Sequence, residues 1–419
     1  MSPSRKVPRA AGSSAPKAPG GGRTDAEIVA MDDVLSALSP TSLRSLVVFL
    51  GAGASKPFGY PITRELMLRI LQGLHQGTIL AKAGKGPGMK TGAPREELRA
   101  FLTDLLPGER LSKESVPMVT GVLSLLDYSL ATGQAVLPGR TLDETRRARQ
   151  QLERALLEVI PDWEWFSGVE EERFDTFCDW LAVLARNRPQ GGLGIVTTNY
   201  DMVADVAAFR VARVDEKAGS WSLPDLANKV DFGFRWVRPD MEQEDVLARP
   251  MQPRVSLLKL HGSTNWLRCP LCENLYIHPD GPISWRAFEP RKSWNNQCHC
   301  SPTRLEAQIV SPSFVREMRE PNLIAVWKNA LDLLRQARHW VIIGYGFPDE
   351  DVGIRALFTR AFGSKTTRPQ VFVIQLDQSA RLNYESFFPA GSVRYLTGGL
   401  DLLLERWAKR RPALRQGSK

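Results

Sequence analysis

The chain has few cysteines and histidines and no long apolar run. Its 419 residues include only five of each of these residue types. Five cysteines are too few for a disulfide framework in a chain of this size. No run of about 18 apolar residues is present to span a bilayer, and the N-terminus lacks the apolar stretch of a secretory signal. These absences favour a globular, cytoplasmic protein with no membrane contact.

Acidic residues are missing from the first 24 positions. Those positions contribute +5, residues 405–419 contribute a further +5, and the whole chain carries +9, which leaves −1 for the body between them. Clustered Lys and Arg bind nucleic-acid phosphates, so we expect at most weak nucleic-acid contact, through the ends alone. We predict a disordered basic tail over residues 1–24, which are rich in Ser, Pro, Ala and Gly, and a basic C-terminal tail over residues 406–419.

Apolar segments that end in glycines or polar residues recur along the body. With 43% hydrophobic residues, the chain is able to bury a sizeable core. The predicted strands are Leu46–Leu50, Leu193–Thr197, Val255–Leu260, His339–Ile343 and Gln370–Leu376. Because helical patterns separate them, we predict an α/β fold with a doubly wound, Rossmann-like parallel sheet. Residues 63–188 are mostly helical in pattern and predict a helical insertion after the first unit.

The first candidate site is the glycine-rich turn from Gly51 to Ser55, directly after a predicted strand. Glycines at such a turn let the backbone approach a pyrophosphate closely. The turn lacks the third glycine of a GxGxxG motif, so a plain tight turn explains it equally well.

Two further strands end in polar residues. Asn199 and Asp201 follow one, where ligands bind in doubly wound sheets, although both would also serve as caps of the next helix. His261 ends the other, where its imidazole would act as a base near neutral pH or play a structural part in the core. The predicted strand His339–Ile343 is followed by Gly344, Tyr345 and a run of acids, which the first turn of a helix would explain.

Four cysteines form two close pairs. Four thiolates with this spacing fit a closed tetrahedral zinc site that leaves no position for substrate. The alternatives are a surface loop without metal, or replacement of one cysteine by His299 or His278. The predicted ligands are Cys269, Cys272, Cys298 and Cys300. The fifth cysteine, Cys178, lies in a helical apolar pattern and is predicted to be a core residue.

The order of these motifs resembles that of sirtuins: a glycine turn, TTNYD, LHGS, two cysteine pairs and IGYGFPDED. It is most similar to the divergent bacterial sirtuin-like branch, many of whose members consume NAD in anti-phage defence. The resemblance implies a zinc-binding module over residues 262–308. It leaves residues 25–62, 189–261 and 309–405 to a Rossmann-like NAD-binding domain.

The resemblance also implies roles for individual residues. His261 matches the catalytic base, and Asn199 would position water or ribose. The glycine turn would hold the pyrophosphate, Asp201 the nicotinamide end, and Gly344 and Tyr345 the adenosine half. The implied NAD-binding residues are Gly51, Ala52, Gly53, Ser55, Arg64, Asn199, Asp201, Gly344, Tyr345 and Gln375, the last lying where sirtuins usually have Asn.

The chain departs from protein-deacylating sirtuins in two places. Residues 59–64 read GYPITR in place of a GIPDFR-like loop, so Thr63 replaces the Phe that shields the ribose, and residues 309–319 lack the FGE-type segment. Both changes favour water as the acceptor, and we expect an NAD⁺ glycohydrolase with a structural Zn²⁺. The alternatives are an NAD-dependent protein deacylase and a catalytically silent nucleotide-binding module. We expect a homo-oligomer or a partner protein from a defence system.

Overall fold

The fold is described from a computed structural model of the full chain. The residues that it describes are 24–37, 45–80, 93–108, 115–161, 169–186, 192–213, 228–238, 246–279, 281–288, 297–300, 304–310, 320–363 and 368–416. The predicted N-terminal tail therefore lies outside the described residues, apart from Thr24.

In the described part of the chain, the central sheet has seven parallel strands: β1 (Leu46–Leu50), β2 (Leu193–Thr197), β3 (Val230–Asp231), β6 (Val255–Lys259), β10 (His339–Ile343), β11 (Gln370–Ile374) and β12 (Val393–Leu396). Their order in the sheet is β12-β11-β10-β1-β2-β6-β3. From β1 the chain builds the sheet in one direction through β2 and β6, and later in the other through β10 and β11. The strand order therefore reverses between β1 and β10, which confirms the doubly wound α/β fold and places its crevice at the carboxyl ends of these strands.

The strands form because their apolar residues are buried on both faces. Every residue of β1, β2 and β6 is buried, as expected for a parallel sheet that is covered by helices. The helices are α1 (Asp25–Ala37), α2 (Ala52–Ser55), α3 (Thr63–Gln76), α4 (Ala93–Leu105), α5 (Val119–Thr132), α6 (Leu142–Glu158), α7 (Val169–Arg186), α8 (Val203–Arg213), α9 (Pro321–Gln336), α10 (Val352–Gly363), α11 (Arg381–Phe387) and α12 (Gly399–Gln416).

Helices α3 to α6 form a separate helical cluster with its own apolar core, which includes Met67, Leu98, Leu123 and Leu152. The structure differs from the predicted insertion at its last helix. In α7, Phe174 and Phe177 belong to the core of the central sheet, and the ring of Phe174 lies 5.5 Å from that of Phe58. The insertion that packs by itself is therefore shorter than residues 63–188.

A second sheet of five strands has the order β5-β4-β8-β7-β9. Its strands are β4 (Trp236–Val237), β5 (Val246–Leu247), β7 (Gly262–Arg268), β8 (Leu275–Ile277) and β9 (Glu306–Ile309), and a 3-10 helix covers Ser284–Phe288. Two strands therefore come from before the predicted module boundary at residue 262. Strands of two residues show no alternation of polar and apolar side chains, so the sequence gives no sign of them.

The predicted C-terminal tail also differs, because α12 continues to Gln416. Trp407 is buried, and Arg406 and Arg410 form ion pairs with Asp32 of α1. The hydrogen bond from Arg406 holds the pKa of Asp32 below its usual value. Residues 406–410 thus belong to the folded body. None of the helices in the described part of the chain is long and apolar enough to cross a membrane.

Candidate functional site

A cavity of about 470 Å³ lies at the carboxyl ends of the central strands, where the strand order reverses. Residues that follow β1, β2, β6, β10 and β11 all reach it. Of the predicted NAD-binding and catalytic residues, the following line the cavity: Ala52, Gly53, Arg64, Asn199, Asp201, His261, Gly344, Tyr345 and Gln375. Gly51 and Ser55 do not line it, but each accepts a hydrogen bond from the side chain of Asn199.

The glycine turn packs directly against the turn after β10. The amide of Gly53 donates to the carbonyl of Gly344 at 2.8 Å, and Gly344 has a φ of +64°. A Cβ atom on Gly344 would lie 2.1 Å from the amide nitrogen of Ala54, which only glycine avoids. The amides of Gly51, Gly53 and Ala54 all have acceptors within the protein.

Asn199 is tied to the glycine turn and does not cap the next helix. Its Nδ2 donates to the carbonyl of Gly51 and to Oγ of Ser55, both at 3.0 Å. The side-chain oxygen Oδ1 has no protein partner in the described part of the structure. Because Asn199 lines the cavity, this oxygen is the polar atom that the residue has left for a ligand.

Asp201 has a structural partner as well as a place in the cavity wall. Its Oδ1 accepts from the amide of Val203 at 3.0 Å, so it caps α8 as the alternative interpretation held. Burial raises the pKa of this carboxyl above its ordinary value, and the nearby ammonium of Lys259 opposes that shift. No sequence pattern singles out Lys259, which is completely buried and donates from Nζ to the carbonyl of Asp201.

His261 lies between two aromatic rings. The ring centroids of Tyr200 and Trp327 are each 6.3 Å from that of His261, and the histidine is 5% exposed. Trp327 also donates from Nε1 to the carbonyl of Leu260 at 2.9 Å. These contacts hold the imidazole at the cavity wall. The contact with Trp327 does not follow from the sequence, because Trp327 comes from α9, more than 60 positions further along the chain.

The turn after β10 is held by polar contacts. The carbonyl of Tyr345 accepts hydrogen bonds from Nε2 of Gln375 and from the hydroxyl of Tyr384. The hydroxyl of Tyr345 donates to Oδ2 of Asp351 at 2.6 Å. The acidic residues that follow this turn have different surroundings. Asp349 forms an ion pair with Arg355 on α10, whereas Asp351 lines the cavity.

The helical cluster and the loop before it close one side of the cavity. Leu66, Met118 and Thr120 line this side together with residues 60–64. The loop is braced by Glu65, which binds Nζ of Lys56 at 2.6 and 2.8 Å and accepts from the amide of Ile62 at 3.3 Å. Arg64, a predicted NAD-binding residue, lies in the first turn of α3 next to Glu65, so these contacts also set its position.

The four predicted metal ligands come together in the second sheet. Their sulfur atoms all lie within 4.8 Å of one another, and the pairs Cys269–Cys300 and Cys272–Cys298 are 3.6 and 3.5 Å apart. Tetrahedral zinc with Zn–S bonds of about 2.3 Å places sulfur atoms about 3.8 Å apart. The amide of Leu271 and the hydroxyl of Tyr276 donate to these sulfurs. The donor set fits a closed zinc site without help from His278 or His299.

Comparisons with known proteins give structural likenesses only. No family model matches the chain, and no curated protein matches it. A structure from work on the mechanism and regulation of Sir2 enzymes has 13% identity and a TM-score of 0.41, and the match covers 93% of this chain and 100% of that chain. A Sir2 homolog–NAD complex has 12% identity and a TM-score of 0.40, with 90% and 95% covered. Sir2Tm bound to a propionylated peptide has 12% identity and a TM-score of 0.36, with 93% and 99% covered.

Proposed function

We propose that this protein is a sirtuin-like, NAD-consuming enzyme that cleaves NAD⁺ to nicotinamide and ADP-ribose with water as the acceptor. The observation that carries the proposal is the meeting of Asn199 and His261 in one cavity beside the glycine turn, at the point where the strand order reverses. Three separate segments of the chain supply these groups. Ligands of doubly wound sheets bind at this place.

Asn199 and His261 have separate roles in the proposed reaction. The C1′–N bond of the nicotinamide ribose breaks through an oxocarbenium-like transition state, and its electron pair leaves with neutral nicotinamide. Water adds at C1′, oriented by Oδ1 of Asn199. His261 accepts the proton that the water loses, directly or through a ribose hydroxyl. The net change is NAD⁺ plus water to nicotinamide, ADP-ribose and a proton.

The remaining cavity residues hold the substrate. In this proposal the glycine turn approaches the pyrophosphate, and Asp201 holds the nicotinamide carboxamide. Arg64, Tyr345 and Gln375 complete the NAD site. Its raised pKa makes Asp201 easier to protonate, and a protonated carboxyl is able to donate to a carboxamide oxygen.

Zinc, when bound by the cysteines, supplies structural stability to the second sheet. Four thiolates fill a tetrahedral coordination sphere, so no position remains for a water or a substrate atom. The proposed reaction therefore depends on the side chains of the cavity alone. A role in anti-phage defence, with a partner protein or a second copy as the trigger, is part of the same proposal.

Water is preferred to an acyl-lysine as acceptor because Thr63 stands in the cavity wall where deacylating sirtuins have Phe. Most of the segment that would pair with a peptide, residues 311–319, lies outside the described residues. The experiment follows nicotinamide release from NAD with and without an acetylated peptide. Release without peptide is the expected result, and strict dependence on the peptide would instead establish the deacylase.

Two variants test the residue roles, and each has a matched control. We expect His261→Ala and Asn199→Ala to lower nicotinamide release by about 100-fold or more. The controls are His75→Ala and Asn228→Ala, which change exposed residues outside the cavity and should leave turnover unchanged. Full activity in either site variant would contradict the assignment. Binding of NAD without turnover would indicate a silent module or an absent trigger.

A further inference from the structure

Lys259 is a charged residue inside an apolar strand. It ends β6, whose five residues are all buried, and its own exposed fraction is 0%. A buried ammonium is costly unless acceptors surround it. Nζ of Lys259 has two, the main-chain carbonyl of Asp201 at 2.6 Å and Oδ2 of Asp205 at 2.5 Å.

The carboxylate of Asp205 extends this contact into a network. Asp205 is on α8 and is also 0% exposed. Its Oδ1 accepts from Nδ2 of Asn265 at 3.4 Å, and the same Nδ2 donates to the carbonyl of His278 at 3.1 Å. The network therefore joins β6 and α8 to β7 of the second sheet, directly beneath the cavity.

Stability does not account for this ion pair. Replacing a buried ion pair with apolar side chains of similar volume is often neutral or stabilising. Lys259 also does not line the cavity, so it does not touch a ligand there. What it does contact is the carbonyl of Asp201, in the turn that carries Asn199 and Asp201 into the cavity wall.

We propose that Lys259 is a positioning residue, whose buried ammonium holds the turn from Asn199 to Asp201 in place for the reaction at the nicotinamide end of the substrate. This inference rests on the proposed function. Its geometric basis is the fixed distance between β6 and the turn after β2, since Lys259 pairs in register with Thr197. In the described part of the structure, the hydrogen bonds of Lys259 go to Asp201 and Asp205 and none goes to the glycine turn.

The test removes both charges together. Lys259→Met alone would leave Asp205 as an unpaired buried carboxylate and would destabilise the protein for that reason. The variant is therefore Lys259→Met/Asp205→Asn, which removes both charges and keeps the side-chain volumes similar. The control, Arg249→Met/Asp231→Asn, removes an ion pair whose two residues lie outside the cavity. For each protein, urea unfolding, NAD turnover and the Kd values of NAD and ADP-ribose are measured.

We expect the double variant to fold and to bind ADP-ribose within about twofold of the unchanged protein, while its kcat falls roughly 10- to 100-fold. A kcat within about twofold of the unchanged protein would overturn the proposal. A parallel loss of ADP-ribose affinity and unfolding stability would overturn it too, because that pattern indicates a purely structural role.

The proposed function has a separate readout. If the unchanged protein binds NAD but releases no nicotinamide, Lys259 is judged by binding alone, so its role is tested apart from the glycohydrolase proposal. NAD differs from ADP-ribose by the nicotinamide that Asp201 would contact. The ratio of the two Kd values should therefore change in the double variant and not in the control. An unchanged ratio would overturn the role of Lys259.

Discussion

Asn199 illustrates how one side chain acquires its role from its neighbours. Its Nδ2 donates hydrogen bonds to the carbonyl of Gly51 and to Oγ of Ser55. The amide therefore cannot rotate freely, and Oδ1 is available to a ligand in the cavity. Asp201, two residues later, is fixed by the amide of Val203. At the scale of the residue, these contacts hold both side chains in one geometry, which is what the proposed reaction requires.

Gly344→Ala tests the close approach of the two turns. Its φ of +64° and the 2.1 Å distance from a Cβ to the nitrogen of Ala54 predict both backbone strain and a clash. We expect the free energy of unfolding to fall by at least about 2 kcal/mol, with weaker NAD binding. Urea unfolding measures the first effect and calorimetry the second.

The control for this variant is Gly363→Ala. Gly363 is an exposed residue at the end of α10, and a Cβ there meets no atom within 4 Å. This change should alter stability by less than about 0.5 kcal/mol. Equal stability of the two variants would show that the turns do not pack as closely as described.

At the scale of the element, the ends of five parallel strands supply one cavity, and the four cysteines come together at the second sheet. Cys269 and Cys298 are buried in a small apolar core with Leu267 and Tyr276. The other face of the same sheet contributes Trp236, Trp266 and Ile277 to the core of the central sheet. The two elements are joined through β7, which directly follows His261.

Metal analysis tests the cysteine cluster. Freshly purified protein should contain about one equivalent of zinc, and Cys269→Ser should lower the zinc content and the melting temperature together. Cys178→Ala is the matched control and should keep its zinc, because Cys178 lies in the central core. Less than about half an equivalent in the unchanged protein would count against the site.

At the scale of the whole molecule, the net charge of +9 is not spread over one basic surface, because residues 1–24 and 405–419 each contribute +5. Part of the C-terminal charge is neutralised, since Arg406 and Arg410 pair with Asp32 on α1. Helix α12 also contacts α2, the short helix of the glycine turn. Helix α12 therefore packs against the glycine turn, two residues of which line the cavity.

Two deletions separate the ends of the chain. Removing residues 1–23 should change the free energy of unfolding by less than about 0.5 kcal/mol and leave NAD turnover unchanged. Removing residues 406–419 takes away buried Trp407, and we expect a loss of about 3 kcal/mol or more. Unfolding curves and nicotinamide release measure both. Full stability without residues 406–419 would contradict the packing of α12.

The sequence predicts the central strands of the parallel sheet but not the two strands at its edges. Strands such as β1 and β2 were predicted at their observed bounds because burial on both faces requires an apolar run. Strands β3 and β12 were missed, the first because it has two residues and the second because polar Arg394 interrupts it. Of the site, the glycines and the polar residues at strand ends were predicted, whereas Trp327, Asp351 and Lys259 were not.

The sequence by itself determined the sheet strands, the glycine turn, the cysteine pairs and the residues that follow each strand, because these depend on local composition and spacing. Only the tertiary structure decided which of them meet. The register of β6 against β2 brings Lys259 beneath Asp201, and the packing of α9 brings Trp327 against His261. Such contacts depend on distances between segments far apart in the chain, and no local pattern encodes those distances.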